Sequence, residues 1–212
     1  MSDSIVGVVI AGGKGLRMGG CEKTLLKIND KAILSYIADT ASPQLDKFLL
    51  NSNSDPDIFS DFQIDIIRDK PNIAASPLLG IYSTLDWLNQ NNITYDWLMS
   101  FPGDCPFFPE DIVARLRAQL HVEPKAEICS VLHNQQIQPL FSLWSPSIVK
   151  PLKKYIEAGS YSIQGFIKSR PHSTLKLSDS EFNGGSSGIQ KKNWENYFIN
   201  INTIEELKNA QS

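Results

Sequence analysis

The sequence predicts one α/β domain with a mostly parallel sheet. Short apolar runs typical of strands alternate with segments of helical spacing through the first 120 residues. The chain has 212 residues, of which 42% are hydrophobic and 20% charged, so it can bury a core without disulfides or metals. Both observations favour one domain that extends through residues 1–212.

The first half supplies the clearest elements. Ile5–Ala11 is a continuous apolar run, which is typical of a strand buried on both faces of a sheet. A glycine-rich segment, residues 12–20, follows this strand directly. The later elements predicted in this half are strands at Phe48–Leu50, Ile64–Ile67 and Trp97–Phe101, and helices at Ala32–Thr40, Leu78–Leu88 and Asp111–Leu120.

The second half is less regular. We expect an antiparallel strand pair, then a helix, a glycine-rich surface loop, a last strand and a capped terminal helix. In order, these are Glu127–Leu132 and Pro139–Trp144 joined by residues 133–138, then Pro146–Ala158, Asp179–Asn193, Tyr197–Asn202 and Thr203–Ala210.

Composition and charge exclude several classes of protein. A net charge of −3 and a pI of about 5.6 argue against a protein that coats nucleic acid. No apolar run is long enough for a membrane span, and the N-terminus lacks the pattern of a signal peptide. The cysteines Cys21, Cys105 and Cys129 are far apart and form no CxxC pair, so a cysteine zinc site has no support. We therefore expect a cytoplasmic protein without nucleic acid or membrane partners.

The glycine-rich segment suggests phosphate binding, since glycine lets backbone N–H groups approach an anion closely. A Walker A loop does not fit, because Glu22 rather than glycine precedes Lys23. A dinucleotide-binding loop does not fit either. The window Gly13–Gly19 is one residue too long, and the second strand ends in Asn51–Asn53 instead of an acidic residue.

A third pattern fits. Residues Ile10–Lys23, IAGGKGLRMGGCEK, resemble the L-x-G-G-x-x-x-R-M-G-x-x-K loop of GT-A-like nucleotidyltransferases. Within that group, the paired Ala-Gly-Gly and Arg-Met-Gly-Gly are most similar to the molybdenum cofactor guanylyltransferase (MobA) family. Further segments resemble that family in the same order: Asn51, Asp69, Ser76–Ile81, Pro102–Phe107 and Asn200–Leu207. Ser76 departs from the usual glycine, which predicts a rebuilt loop at that point.

The resemblance implies a single three-layer, Rossmann-like GT-A domain. Residues 1–120 would bind the nucleotide and residues 121–212 the acceptor. The implied reaction transfers GMP from GTP to the phosphate of molybdopterin, with Mg²⁺ as cofactor and pyrophosphate as leaving group. The acceptor phosphate is already ionised near neutral pH, so the reaction needs positioned charges rather than a catalytic histidine.

The candidate catalytic residues are Lys23 and Arg17, which suit a triphosphate, and Asp104, which suits Mg²⁺. By resemblance, Asn200 and Asn202 lie on the acceptor side. The nucleotide contacts implied by the resemblance are Ile10, Ala11, Gly12, Gly13, Lys23, Asn51, Asp69 and Asp104.

Two other functions stay open. One is the same fold with another base or acceptor, such as CTP with molybdopterin. The other is a non-catalytic relative that only binds nucleotide or cofactor. If guanylyl transfer holds, the resemblance implies three kinds of protein partner: a small GTP-binding accessory protein, a cofactor-delivering protein and apo-molybdoenzymes.

Overall fold

The computed structural model describes residues 3–11, 22–71, 73, 75–178, 197–201 and 206. Its strands are β1 (Ile5–Ile10), β2 (Lys27–Ile28), β3 (Lys31–Ala32), β4 (Lys47–Asn51), β5 (Asp65–Ile67), β6 (Trp97–Pro102), β7 (Ile128–His133), β8 (Gln136–Trp144) and β9 (His172–Leu177). Its helices are α1 (Ile33–Ala41), α2 (Pro77–Gln90), α3 (Ile112–Val122), α4 (Val149–Glu157) and α5 (Ile163–Lys168). Within these ranges, no helix has the length and apolarity needed to span a lipid bilayer.

Seven of the strands form one sheet in the order β5-β4-β1-β6-β8-β7-β9, while β2 and β3 pair separately. The four strands from β5 to β6 run parallel, and β9 is parallel to β7. Only β8 runs antiparallel to its neighbours. The α/β fold with a mostly parallel sheet is therefore confirmed. Its strand order reverses direction at β1, which lies between β4 and β6.

The core lies on both faces of the sheet. Alternation along β1 places Ile5 and Val9 in one apolar cluster, and Val6, Val8 and Ile10 in the other. Helices α1 and α3 cover the first cluster, and α2, α4 and α5 cover the second. This arrangement gives three layers and explains why β1 is apolar at every position except its glycine.

Helix α2 begins at a serine cap. Ser76 has extended backbone, φ −153°, and its Oγ accepts a hydrogen bond from the backbone N of Leu79 at 3.2 Å. Pro77 occupies the first helical position, where a missing N–H costs nothing. Ser76 therefore caps the helix without a positive φ, and its hydroxyl satisfies one of the free backbone N–H groups of the first turn.

The antiparallel pair β7 and β8 forms as predicted, but its connection is shorter than residues 133–138. His133 pairs with Gln136, so only Asn134 and Gln135 make the turn. Both have positive φ, 46° and 65°. Such angles are typical of the two-residue turns that match the twist of a hairpin.

The prediction of a last strand over Tyr197–Asn202 is wrong. Phe198 has φ 63°, which interrupts an extended backbone, and residues 197–201 form a turn followed by irregular chain. The backbone N of Phe198 donates to Phe107 O at 3.0 Å, and that of Ile201 donates to Asp104 O at 2.7 Å. The segment is thus bound to the loop after β6 instead of to a strand.

The seventh strand of the sheet is β9, which the sequence pattern did not predict, and α5 was also missed. The predicted loop 179–193 lies outside the described residues. So does the predicted terminal helix 203–210, apart from Glu206, which is helical.

Candidate active site

Three strand ends meet at the centre of the carboxyl edge of the sheet. Ile10 is in register with Asn51 on β4 and with Pro102 on β6. Two backbone hydrogen bonds extend this alignment beyond the strands: Ala11 N to Asn51 O at 2.9 Å, and Gly103 N to Ile10 O at 3.0 Å. This is the point where the strand order reverses, the usual position for ligands in open α/β sheets.

A cavity of about 260 Å³ opens at this edge. The N-terminal end of α2 reaches it through Pro77, so the positive end of that helix dipole faces the cavity. The full lining is Ile10, Ala11, Glu22, Lys23, Thr24, Pro77, Pro102, Gly103, Asp104, Leu140 and Asn200. Five predicted site residues, Ile10, Ala11, Lys23, Asp104 and Asn200, are therefore brought together.

Lys23 and Asp104 lie close together in the lining of the cavity. Lys23 Nζ lies 3.9 Å from Asp104 Oδ2, and the two side chains are 23% and 25% exposed. Burial raises the pKa of Asp104 above its ordinary value, while the charge of Lys23 and a hydrogen bond from its own backbone lower it. A cation close to Asp104 would favour its ionised form and relieve this cost of burial.

The donors around Asp104 fit Mg²⁺ bound together with a nucleotide. Mg²⁺ in phosphate-transfer sites takes one or two carboxylates and completes its shell with phosphate oxygens and waters. Asp104 supplies such a carboxylate beside a cation suited to a polyphosphate. The described part of the chain holds no cluster of three acidic, histidine or cysteine ligands.

Asp69 belongs to a second polar group, at the ends of β4 and β5. Asn51 Nδ2 donates to Asp69 Oδ1 at 3.0 Å, and Asn53 Nδ2 donates to Oδ2 at 2.7 Å. The backbone N of Asp69 in turn donates to Asn53 Oδ1 at 2.9 Å. The neighbouring cation Lys70 pairs with Asp86.

Asn51 is a buried support for this group, with 1% of its surface exposed. Its Nδ2 also donates to the backbone oxygen of Ile67 at 3.0 Å. Gly80 of α2 packs directly against its Oδ1, and a side chain at that position would overlap with it. The nucleotide contact predicted for Asn51 is not tested by this geometry and stays a prediction.

Gly80→Ala is expected to lower the free energy of unfolding, although alanine is the better helix former by about 1 kcal/mol. The new methyl group would meet Asn51 Oδ1, and the amide cannot easily turn away because its Nδ2 donates two hydrogen bonds. Such overpacking costs about 1–3 kcal/mol. Urea unfolding measures the change. Asn89→Ala, at an exposed position of the same helix, is the control. Equal stability of the two variants would contradict the tight packing.

One wall of the cavity depends on an irregularity in β8. Ser130 pairs with Ser142 but Val131 pairs with Gln138, so residues 139–141 loop out of the ladder with β7. Ser100 Oγ donates to Leu140 O at 2.6 Å and accepts from Trp144 Nε1 at 2.8 Å. These buried bonds fix the backbone that presents Leu140 to the cavity, a common use of bulges beside active sites.

The cysteine next to Asp104 is inert in this arrangement. Cys105 is completely buried, and burial raises the pKa of its thiol well above the ordinary value. A thiol held in this form is a poor nucleophile, so Cys105 acts in packing.

Four predicted site residues, Gly12, Gly13, Arg17 and Asn202, lie outside the described residues. Sequence reasoning also missed several residues around the site. Asn53 carried a usable signal, because it follows Asn51 at the two-residue spacing of one strand face. Glu22 also carried one, since it directly precedes Lys23. No sequence signal could have identified Leu140, because its position depends on the bulge in β8.

The chain resembles known proteins over most of its length. The model of the MobA-like NTP transferase domain family matches residues 7–174. A molybdenum cofactor guanylyltransferase of Rhodopseudomonas palustris is 30% identical over 205 residues, which are 96% of this chain and 91% of that protein. One of Nitrobacter hamburgensis is 35% identical over 148 residues, 70% of each chain.

Solved structures share the fold. Molybdopterin-guanine dinucleotide biosynthesis protein A from Archaeoglobus fulgidus matches with a TM-score of 0.74 at 19% identity, over 97% of this chain and 96% of that one. A Mycobacterium tuberculosis protein solved in complex with manganese matches with a TM-score of 0.63 at 17% identity, over 98% of both chains.

Proposed function

Since the chain belongs to the MobA-like NTP transferase domain family, we propose that it transfers GMP from GTP to the phosphate of molybdopterin and releases pyrophosphate. The resemblance read from the sequence is confirmed at the level of the family. One observation carries the proposal for this chain. Lys23 and Asp104 lie 3.9 Å apart in a cavity at the switch point of the sheet, as a polyphosphate and its metal ion require.

The proposal divides the work between the two halves of the chain. Residues 1–120 bind the nucleotide, with Lys23 and Asp104 at the phosphate end of the site. Residues 121–212 hold the acceptor, and Leu140 and Asn200, which reach the same cavity, support this division. Gly12, Gly13, Arg17 and Asn202 belong to the proposal as further contacts.

The proposed reaction depends mainly on positive charges that are correctly positioned around the phosphates. The attacking phosphate oxygen is already ionised near neutral pH, so no residue has to remove a proton from it. Lys23 orients the triphosphate and balances the negative charge that grows on the leaving pyrophosphate. Asp104, with phosphate oxygens and water, would hold Mg²⁺, which supplies further positive charge at the phosphates when bound. Partial burial of the Lys23 and Asp104 side chains strengthens each of these interactions.

Guanine recognition falls to Asp69 in this proposal. A carboxylate offers roughly four acceptor positions, and the two amides on Asp69 use one on each oxygen. One position per oxygen is left, which matches the adjacent N1–H and amino donors of guanine. Cytosine has only its amino donor on that edge. A nucleotide lying along the sheet edge would then have its base at β5 and its phosphates at β1 and β6.

The remaining partners form part of the same proposal. They are a small GTP-binding accessory protein, a cofactor-delivering protein and apo-molybdoenzymes, in the cytoplasm. Co-purification of the chain with an apo-molybdoenzyme, in the presence and absence of molybdopterin, tests the last of them.

Thermal unfolding with each nucleoside triphosphate tests the nucleotide. At a concentration 100 times its Kd, a ligand adds about 2.7 kcal/mol, which raises the Tm of a chain of this size by about 5–10 °C. We expect this shift with GTP and Mg²⁺, and smaller ones with ATP, CTP or UTP. Formation of the dinucleotide from GTP and molybdopterin is the second assay. A larger shift with CTP would contradict guanylyl transfer, and no shift with any nucleotide would contradict nucleotide binding.

A further inference from the structure

The chain segment that follows β4 holds two parts of the site at once. Residues 51–54 read Asn-Ser-Asn-Ser, and their side chains alternate between two directions, as in a strand. Asn51 and Asn53 both bind the carboxylate of Asp69. Ser52 and Ser54 both bind the carboxylate of Glu22, the residue directly before Lys23.

The Glu22 side of this segment is well connected. Ser54 Oγ donates to Glu22 Oε2 at 2.6 Å, and Ser52 Oγ donates to the same oxygen at 3.3 Å. The second oxygen, Oε1, accepts from Thr24 Oγ1 at 3.1 Å. The hydroxyls of residues 52, 54 and 24 thus hold the carboxylate from three positions. Since Lys23 lies between Glu22 and Thr24, the network fixes the backbone that carries its ammonium group.

On the Asp69 side, both carboxylate oxygens also accept hydrogen bonds. Asn53 and Asp69 exchange two hydrogen bonds, amide to carboxylate and backbone N to amide oxygen, at 2.7 and 2.9 Å. Asn51 supports the other oxygen from the buried side. A carboxylate held on both oxygens has one orientation, and groups aimed in advance at a ligand bind it at a lower entropic cost.

We propose that residues 51–54, the Asn51–Ser54 clamp, set the position of the base-reading carboxylate relative to the phosphate-binding lysine. Asn53 and Glu22 are then positioning residues: Asn53 acts through Asp69 on base selectivity, and Glu22 acts through Lys23 on the polyphosphate. This inference rests on the proposed function, because it assigns the base to Asp69 and the phosphates to Lys23.

The clamp makes two separable predictions for binding, measured by calorimetry with Mg²⁺ and three probes: GTP, ITP and inorganic triphosphate. ITP lacks the amino group of guanine, and inorganic triphosphate lacks the base. Asn53→Ala is expected to weaken GTP by about tenfold, to reduce the preference for GTP over ITP, and to leave inorganic triphosphate unchanged. Glu22→Gln is expected to weaken all three by about tenfold and to leave the GTP to ITP ratio unchanged.

Matched variants separate positioning from general loss of stability. Asn91→Ala removes a 2.8 Å side-chain bond to Trp87 O at the far end of α2, and Glu127→Gln alters a carboxylate paired with Arg170. Neither is expected to change binding of any probe. Glu22→Asp, which keeps the charge, should restore part of the affinity lost in Glu22→Gln.

The outcomes distinguish failure of the clamp from failure of the proposed function. If the wild-type chain binds GTP but both variants weaken all probes equally, or neither weakens any, the clamp is wrong. If Asn53→Ala and Glu22→Gln show their two different expected effects but the wild-type chain forms no dinucleotide from molybdopterin, the clamp is correct and the proposed acceptor is wrong. If the wild-type chain binds none of the three probes, both proposals fail.

Discussion

Asp104→Asn is expected to reduce GMP transfer by at least about a thousandfold and, at the same time, to stabilise the folded chain at neutral pH. The loss follows from the missing carboxylate, since an amide holds Mg²⁺ poorly. The gain follows from burial, which raises the pKa of Asp104 in the folded state above its ordinary value of 3.8. The folded chain therefore binds this proton more tightly than the unfolded chain does.

The sign of the pH dependence follows from that difference. Above the ordinary pKa, ionising Asp104 costs folding free energy, and the cost grows until the pH passes the raised pKa. Asparagine carries no charge, so the stability gained by Asp104→Asn should be present at pH 7 and vanish below pH 3.8. Urea unfolding of both proteins at pH 7 and at low pH measures it. A variant that is less stable at both pH values would show that Asp104 is a structural residue.

A control for Asp104→Asn comes from an exposed aspartate. Asp65→Asn removes a carboxylate that is paired with Lys47 at the surface, at 2.6 Å. Exposed pairs contribute about 0–1 kcal/mol, so this variant should change neither transfer nor stability by much. The pairing of lost activity with gained stability should therefore be particular to Asp104.

Lys23→Ala is expected to lower kcat/KM for GTP by about 10²–10³-fold, the range found when one charge-stabilising group is removed from an active site. Lys23 also lowers the pKa of Asp104, so its loss should raise that pKa further and weaken Mg²⁺ binding at mildly acid pH. Steady-state transfer kinetics at two pH values measure both effects.

The control for Lys23→Ala is Lys31→Ala, since Lys31, on the β2–β3 hairpin, forms an exposed pair with Asp39 of α1. It should leave kinetics unchanged. If Lys23→Ala lowered only the melting temperature and left kcat/KM intact, Lys23 would be a structural residue and the assignment of the phosphate end would be wrong.

The sequence predicted the first half of the fold because its signals are local. Ile5–Ile10 is apolar at nearly every position, as a strand covered on both faces must be. The second half depends on contacts distant in sequence. His172–Leu177 is half exposed and polar, so its pattern does not mark a strand, although it pairs with β7. Residues 197–201 are apolar enough for a strand, but Phe198 takes a positive φ as the segment binds the loop after β6.

The candidate site, too, could be predicted only in part. Lys23, Asp104 and Asp69 could be named as candidates, because each follows a strand or belongs to a recognisable motif, and their roles stay predictions. The bonds that orient them could not be predicted. Glu22 and Ser54 are separated by 32 residues, and nothing in either segment alone indicates that they meet. Likewise, the bulge that presents Leu140 is held by Ser100, whose hydroxyl donates to Leu140 O and accepts from Trp144, although Ser100 lies 40 residues before Leu140 in the sequence.

The central place of β1 has a consequence for how the chain folds during synthesis. Strand β1 leaves the ribosome well before its partner β6, and the bond from Ser4 N to Asp96 near the start of both strands spans 92 residues. Such distant pairing slows folding, since the intervening chain must close first. Lys23 is synthesised early, but it meets Asp104 only after β6 has docked. A nascent chain that ends before β6 therefore carries half of the site and no complete centre for catalysis.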